Sequence, residues 1–123
     1  VFDNDLPYFL GGTPGGDKQI PWNIQTITNV IDFGMNPQEA VDAPRWTHIP
    51  GTDPETINDE PSLDLDLGIR KEDTAILKDK GHVVDVSASG SFGGSAKMIL
   101  IDRSTGVLTG GSDRRSDGLA GAL

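Results

Sequence analysis

The sequence has no cysteine in 123 residues, which excludes disulfides and thiolate chemistry. Cations are scarce: 10 Lys and Arg stand against 19 Asp and Glu, a formal net charge of −9. That balance argues against a nucleic-acid partner, because phosphate binding needs clustered Lys and Arg. No apolar run approaches the roughly 20 residues of a membrane-spanning helix. The apolar share is only 35%, but 16 glycines bring the chain to an ordinary globular composition, which argues against wholesale disorder. The length suits one domain over residues 1–123, since domains run to about 50–250 residues.

Glycine is what the chain does have, and its placement is informative. Gly12-Thr13-Pro14-Gly15-Gly16 lies between an apolar run and an amphipathic helix pattern. Pro14-Gly15-Gly16 permits a tight turn that exposes backbone N–H groups, with no Cβ to block a close ligand. Two such groups at a strand-to-helix junction can hold an oxyanion, as acyl transfer requires. The alternative is a plain strand-to-helix connector. A phosphate loop is excluded: Asp17 interrupts the Gly-Lys-Ser/Thr pattern, and Gln19 stands in place of the hydroxyl residue. A dinucleotide fingerprint fails as well, for want of Gly-x-Gly-x-x-Gly.

Around this turn the elements read as follows. Val1-Phe2, Asp3-Asn4-Asp5 and Leu6 to Leu10 give a strand end, a turn and a second strand. A start in mid-strand without a methionine suggests a piece of a longer chain. Asp17 to Gly34 predicts a helix whose buried face is Ile20, Ile24, Ile27 and Ile31, with Asp17 as N-cap or first-turn acid and Gly34 as its stop. Asn36-Pro37 with Glu39 predicts a capped short helix ending near Asp42, before Pro44. Residues 46–61 read as an irregular loop, and Leu63 to Leu67 as a strand with a wet face bearing Asp64 and Asp66. Arg70 to Lys80 predicts a third helix stopped by Gly81, followed by a strand at 83–86 and a flexible Gly/Ser segment at 87–94. Ala96 to Asp102 and Val107 to Thr109 predict a hairpin around Ser104-Thr105-Gly106. Helices and strands interleave with hairpins, so the fold class is α+β rather than a doubly wound parallel sheet.

Other candidates have plain structural readings. His48 and His82 lack companion ligands at metal-binding spacing, and no metal site is predicted. Asp32 and Asp42 fall on or near helices, as solvated or capping carboxylates. Trp22 and Trp46 read as core or interface anchors. Arg45 and Asp113-Arg114-Arg115 read as a structural ion pair or backbone cap in preference to a clamp for a substrate carboxylate.

Taken in order, the Gly-rich turn, Trp22-Asn23-Ile24-Gln25, Asn29 to Gly34, Ala43-Pro44-Arg45-Trp46, Lys80-Gly81-His82-Val83 and Gly110-Gly111-Ser112-Asp113-Arg114-Arg115 form a succession. It resembles the C-terminal half of the small subunit of γ-glutamyltransferases and related acylases, which are N-terminal-nucleophile hydrolases. The resemblance implies part of a four-layer α/β/β/α sandwich, a C-terminal fragment of a longer enzyme matured by autocleavage. It also implies an N-terminal threonine nucleophile acting on γ-glutamyl or glutaryl-type amides, and a large subunit from the same precursor. Gly15 and Gly16 match the glycines that furnish the oxyanion-hole N–H groups in that family, and no cofactor is called for.

The chain departs from the family pattern in three places. Residue 1 is Val1, without a nucleophilic atom, so the fragment alone is expected to be inactive. The glycines are followed by Asp17-Lys18-Gln19, as in the acylase-like branch. The late Asp-Pro-Arg lacks its proline and reads Ser112-Asp113-Arg114. A layer missing from the sandwich also predicts a homo-oligomer of the fragment. The competing reading from another class is a non-catalytic α+β association module.

Overall fold

The capping box at Asn36 shows how closely local chemistry sets one element. In the computed structural model, which describes residues 1–87 and 94–121, the Asn36 side chain accepts from Glu39 N–H and Asn36 N–H donates back to the Glu39 carboxylate, both at 2.9 Å. Helix α2, Pro37–Asp42, starts there with Pro37 in its first turn, where a missing N–H costs nothing. Helix α1, Gln19–Ile31, precedes it, entered through a 3₁₀ turn at Gly16–Lys18. Helix α3 is Lys71–Asp79.

The described residues also form eight strands: β1 Phe2–Asp3, β2 Leu6–Pro7, β3 Phe9–Gly12, β4 Trp46–Ile49, β5 Ser62–Asp66, β6 Val83–Ser87, β7 Lys97–Ile101 and β8 Leu108–Ser112. β1 and β2 form a small hairpin turned by Asn4 and Asp5, both at positive φ. One three-stranded sheet runs β3-β7-β8 and is antiparallel throughout; the other runs β4-β5-β6, with only β5 and β6 parallel. The turn of the predicted hairpin is tied by Asp102, which gathers Ser104 and Thr105. Its carboxyl is held at about 2 by the Thr105 hydroxyl first and then by Ser104. Among the described residues no helix is long and apolar enough to cross a membrane. Of the predicted flexible segment, residues 88–93 lie outside those described.

The core lies between the β3-β7-β8 sheet and helices α1 and α2, and gathers Phe9, Val30, Ala40, Val41, Ala96 and Met98. Gly111 lets α2 lie directly on β8, since a Cβ there would stand 2.5 Å from Pro37 backbone atoms. Gln38 then clips the same strand, donating to Ser112 O at 2.9 Å and accepting from Ser112 N–H at 3.0 Å. Gln25 does the same for Trp46 on β4, at 2.9 and 3.0 Å.

Several expectations are corrected. The buried stripe of α1 is Trp22, Thr26 and Val30; Ile20 and Ile24 are 71% and 58% exposed, Ile31 is exposed too, and only Ile27 packs on the core. Thr26 tolerates burial because its hydroxyl bonds the Trp22 and Asn23 carbonyls. Asp17 is not an N-cap, since α1 has no side-chain cap; it stands as the acid in the first turn of the 3₁₀ segment, with its carboxylate accepting from Thr52. Four residues of the expected loop at 46–61 form β4, because β5 supplies an antiparallel edge. Asp66 is not on a wet face but buried in an ion pair.

Candidate active site

Pro14 and the two glycines carry the chain from β3 into α1. Gly16 has φ +55°, the left-handed region that glycine reaches without penalty, and the Gly15 carbonyl accepts from Lys18 N–H at 3.0 Å to close the 3₁₀ turn. Among the described residues neither the Gly15 nor the Gly16 N–H meets an acceptor. Both therefore remain as donors at the positive end of a helical segment, where anions are favoured. A Cβ on Gly16 would meet no atom within 4 Å, so that side of the turn is open.

Behind the turn the packing is tight. Thr13 is buried; its N–H donates to the Asn23 side chain at 3.0 Å and its hydroxyl accepts from Ser95 N–H at 3.0 Å. Trp22 is buried with its indole N–H on the Thr47 hydroxyl at 2.9 Å, and the Arg45 guanidinium carbon lies 5.8 Å from its ring centre.

Arg45 leads into a buried charge network. It is 1% exposed, pairs with Asp113 at 0%, and donates to the Val41 carbonyl at 3.2 Å. Arg115 bridges Asp66 at 2.7 Å and Asp113 at 3.1 Å while donating to the Val41, Asp42 and Ala43 carbonyls that end α2. These last bonds satisfy orphan carbonyls where cations are favoured. Asp113 also pairs with Ala96 on the approach to β7, and Arg45 O accepts from Asp66 N–H, so the network joins the two sheets and α2.

Burial works to raise both carboxyls. At Asp66 the Arg115 hydrogen bond and Gly68 N–H outweigh it, at Asp113 the Arg115 N–H and Arg45, so both lie below the ordinary range. Burial likewise works to lower Arg115, and its two carboxylates more than offset this. The structural reading of Arg45 and Asp113-Arg114-Arg115 therefore holds for Arg45, Asp113 and Arg115, while Arg114 is exposed.

His48 and His82 are both exposed and separate in sequence and fold. Among the described residues no three His, Asp or Glu side chains gather as a metal site. Asp17 and Lys18 line a cavity of about 250 Å³ with His48, Asp53 and Asp59, away from the core. Sequence reasoning did not foresee that Thr13, Asn23, Trp22 and Gly94 would enclose the turn. The signal available was the Trp-Asn pair placed one helical turn past the glycines.

One antiparallel and one mixed sheet, packed with three helices, match solved N-terminal-nucleophile hydrolases. A cephalosporin acylase from Bacillus halodurans superposes with a TM-score of 0.84 at 33% identity, over 98% of this chain and 21% of that one. A γ-glutamyltranspeptidase mutant from Helicobacter pylori gives 0.77 at 28%, over 94% of this chain and 58% of that one. The chain belongs to the γ-glutamyltranspeptidase family, whose model matches residues 1–123. A glutathione hydrolase-like proenzyme of Bacillus subtilis (strain 168) is 38% identical over 117 residues, 93% of this chain and 21% of that protein. The chain thus spans about a fifth of the length of the curated relatives it matches.

Proposed function

We propose that these residues form the C-terminal part of the small subunit of an enzyme that cleaves or transfers γ-glutamyl or glutaryl-type acyl groups from amides. The observation that carries the reading is the pair of unengaged N–H donors on Gly15 and Gly16 at the mouth of α1. An N-terminal threonine, supplied by residues beyond those in this sequence, attacks the amide carbonyl, with its own α-amino group taking the proton. Negative charge gathers on the carbonyl oxygen as the tetrahedral intermediate forms. The two glycine donors meet it there, where a preorganised hydrogen bond is worth most. Collapse of the intermediate expels the amine, which takes back the proton held on the α-amino group, and leaves an acyl-threonine. Water then gives hydrolysis, and an amine gives transfer.

Mass spectrometry of the small subunit from the intact protein should return an N-terminal threonine. An uncleaved chain with full turnover would overturn the reading. The 123-residue chain alone, beginning at Val1, should hydrolyse no γ-glutamyl or glutaryl anilide above background. Saturable turnover by a mass-verified preparation would remove the threonine from the mechanism.

Two apolar surfaces support a partner from the same precursor. The outward side of β3-β7-β8 presents Leu10, Ile99 and Leu108, and the outward side of α1 presents Ile20, Ile24 and Ile31. Contiguous apolar faces of this kind recruit other chains. In the intact protein the occupant is the large subunit and the rest of the small one. For the fragment by itself it is a second copy, so sedimentation at about 100 µM should show a dimer or larger species. A sharp, well-folded monomer at that concentration would sink the association claim.

A further inference from the structure

Two glycines far apart in sequence abut one edge of one side chain. A Cβ on Gly15 would stand 2.8 Å from Trp22 Cζ3 and 2.9 Å from Cε3; a Cβ on Gly94 would stand 3.0 and 3.1 Å from the same atoms. Only glycine backbones can lie this close. Gly15 precedes the 3₁₀ turn and Gly94 leads into β7, so the benzo edge of the indole is where the two segments are brought into register. The far edge is fixed as well, by the bond from Nε1 to Thr47 Oγ1 at 2.9 Å on β4. Arg45 lies over the ring, itself tied down by Asp113. Asn23, the next residue of α1, holds the Thr13 N–H at the entry to the turn. The helix that follows the glycines thus holds them in place from behind.

We infer that Trp22 is a positioning residue for the Gly15–Gly16 donor pair, its ring edge setting where those two N–H groups stand. The geometry is independent of any reaction; its catalytic consequence rests on the oxyanion reading above. A carbon edge against a glycine backbone offers no hydrogen bond of its own, so its contribution is steric placement. A displacement of about 1 Å at a reacting centre costs roughly 10²-fold in rate. Trp22 would therefore act on kcat, because an oxyanion donor tightens in the transition state and contributes less to ground-state binding.

The test uses Trp22→Ala, with Trp22→Phe retaining part of the ring and Thr47→Val leaving the ring but removing its N–H partner. Two readouts are taken. Backbone ¹⁵N order parameters at Gly15 and Gly16 report the turn directly, and kcat and KM report its use, both in the intact mature enzyme. Expected in Trp22→Ala is a fall in order parameter from about 0.85 to below about 0.6 at both glycines. With it should come a kcat loss of about 10²-fold and a KM within a few-fold of wild type. Trp22→Phe should recover part of both, and Thr47→Val should lose less than either. If Trp22→Ala does not fold, Trp22→Phe carries the same comparison at smaller amplitude. Unchanged order parameters at the glycines overturn the positioning role. A loosened turn with undiminished kcat leaves that role standing and sinks the oxyanion reading instead.

Discussion

Replacing Asp113 by alanine is expected to destabilise the chain by about 3–5 kcal/mol, a large part of the roughly 5–15 kcal/mol that holds a domain folded. Arg45 is 1% exposed, and among the described residues two of its nitrogens, Nε and Nη1, already lack a partner. Removing Asp113 leaves a buried guanidinium with only the Val41 carbonyl, and takes from Arg115 one of its two carboxylates. The cost is that of an uncompensated charge, so replacing Arg45 by methionine in the same chain should recover a large part of it. Urea melts followed by circular dichroism decide the matter. A single variant within about 0.5 kcal/mol of wild type would show the network to be incidental.

The same network sets an acid limit. Asp66 and Asp113 have folded-state pKa values below the ordinary 3.8, so near and below pH 4 the unfolded chain binds more protons than the folded one. Their stabilisation is complete above the unfolded value and is lost as pH falls through the folded one. Stability should therefore drop steeply below about pH 4, and Asp66→Asn should flatten that slope.

In the intact mature enzyme, Gly16→Ala should lower kcat by about 10²–10³-fold with a smaller change in KM, as for loss of one oxyanion donor. The methyl would meet no atom within 4 Å among the described residues, so crowding against them is not the cause. The φ of +55° is the cause: an alanine there carries a left-handed penalty of about 1–2 kcal/mol and relaxes by turning its own N–H off target. Gly15→Ala is a different experiment. Its Cβ would strike Trp22, so the turn itself should be displaced and stability should fall along with kcat. If folded, properly cleaved Gly16→Ala kept nearly full kcat, the glycine turn would be a connector and nothing more.

What the sequence could reveal divides by the range of the interaction. The Asn36 capping box, the Gly34 and Gly81 stops and the 104–106 turn are local devices, complete within a few residues, and were legible. The isoleucine stripe of α1 was legible as periodicity but not as orientation. Two apolar stripes share that helix, and the one chosen for this core is the one whose Trp22 reaches Thr47 and whose Thr26 satisfies itself. β4 was missed because Trp46 to Ile49 becomes a strand only beside β5. Asp66 looked solvated because its partner, Arg115, lies 49 residues on. At the candidate site, the glycines of the turn were visible in composition and spacing, while their proposed role came from the family resemblance. The ring behind them required knowledge of which helix face turns inward.

The strand order β3-β7-β8 also dictates the sequence of events as the chain leaves the ribosome. Phe9 pairs with Leu100, about ninety residues further along, whereas β4, β5 and β6 find one another within 46–87. Synthesis proceeds at roughly 5–20 residues per second, so β3 waits several seconds for its neighbour while α1, α2 and the other sheet are already available. Pairings so distant in sequence are slow to form for reasons of loop-closure entropy, which extends the wait beyond the time of synthesis. The glycine turn, fastened on one side to α1 and on the other to the segment before β7, is thus among the last features of this chain to acquire its shape.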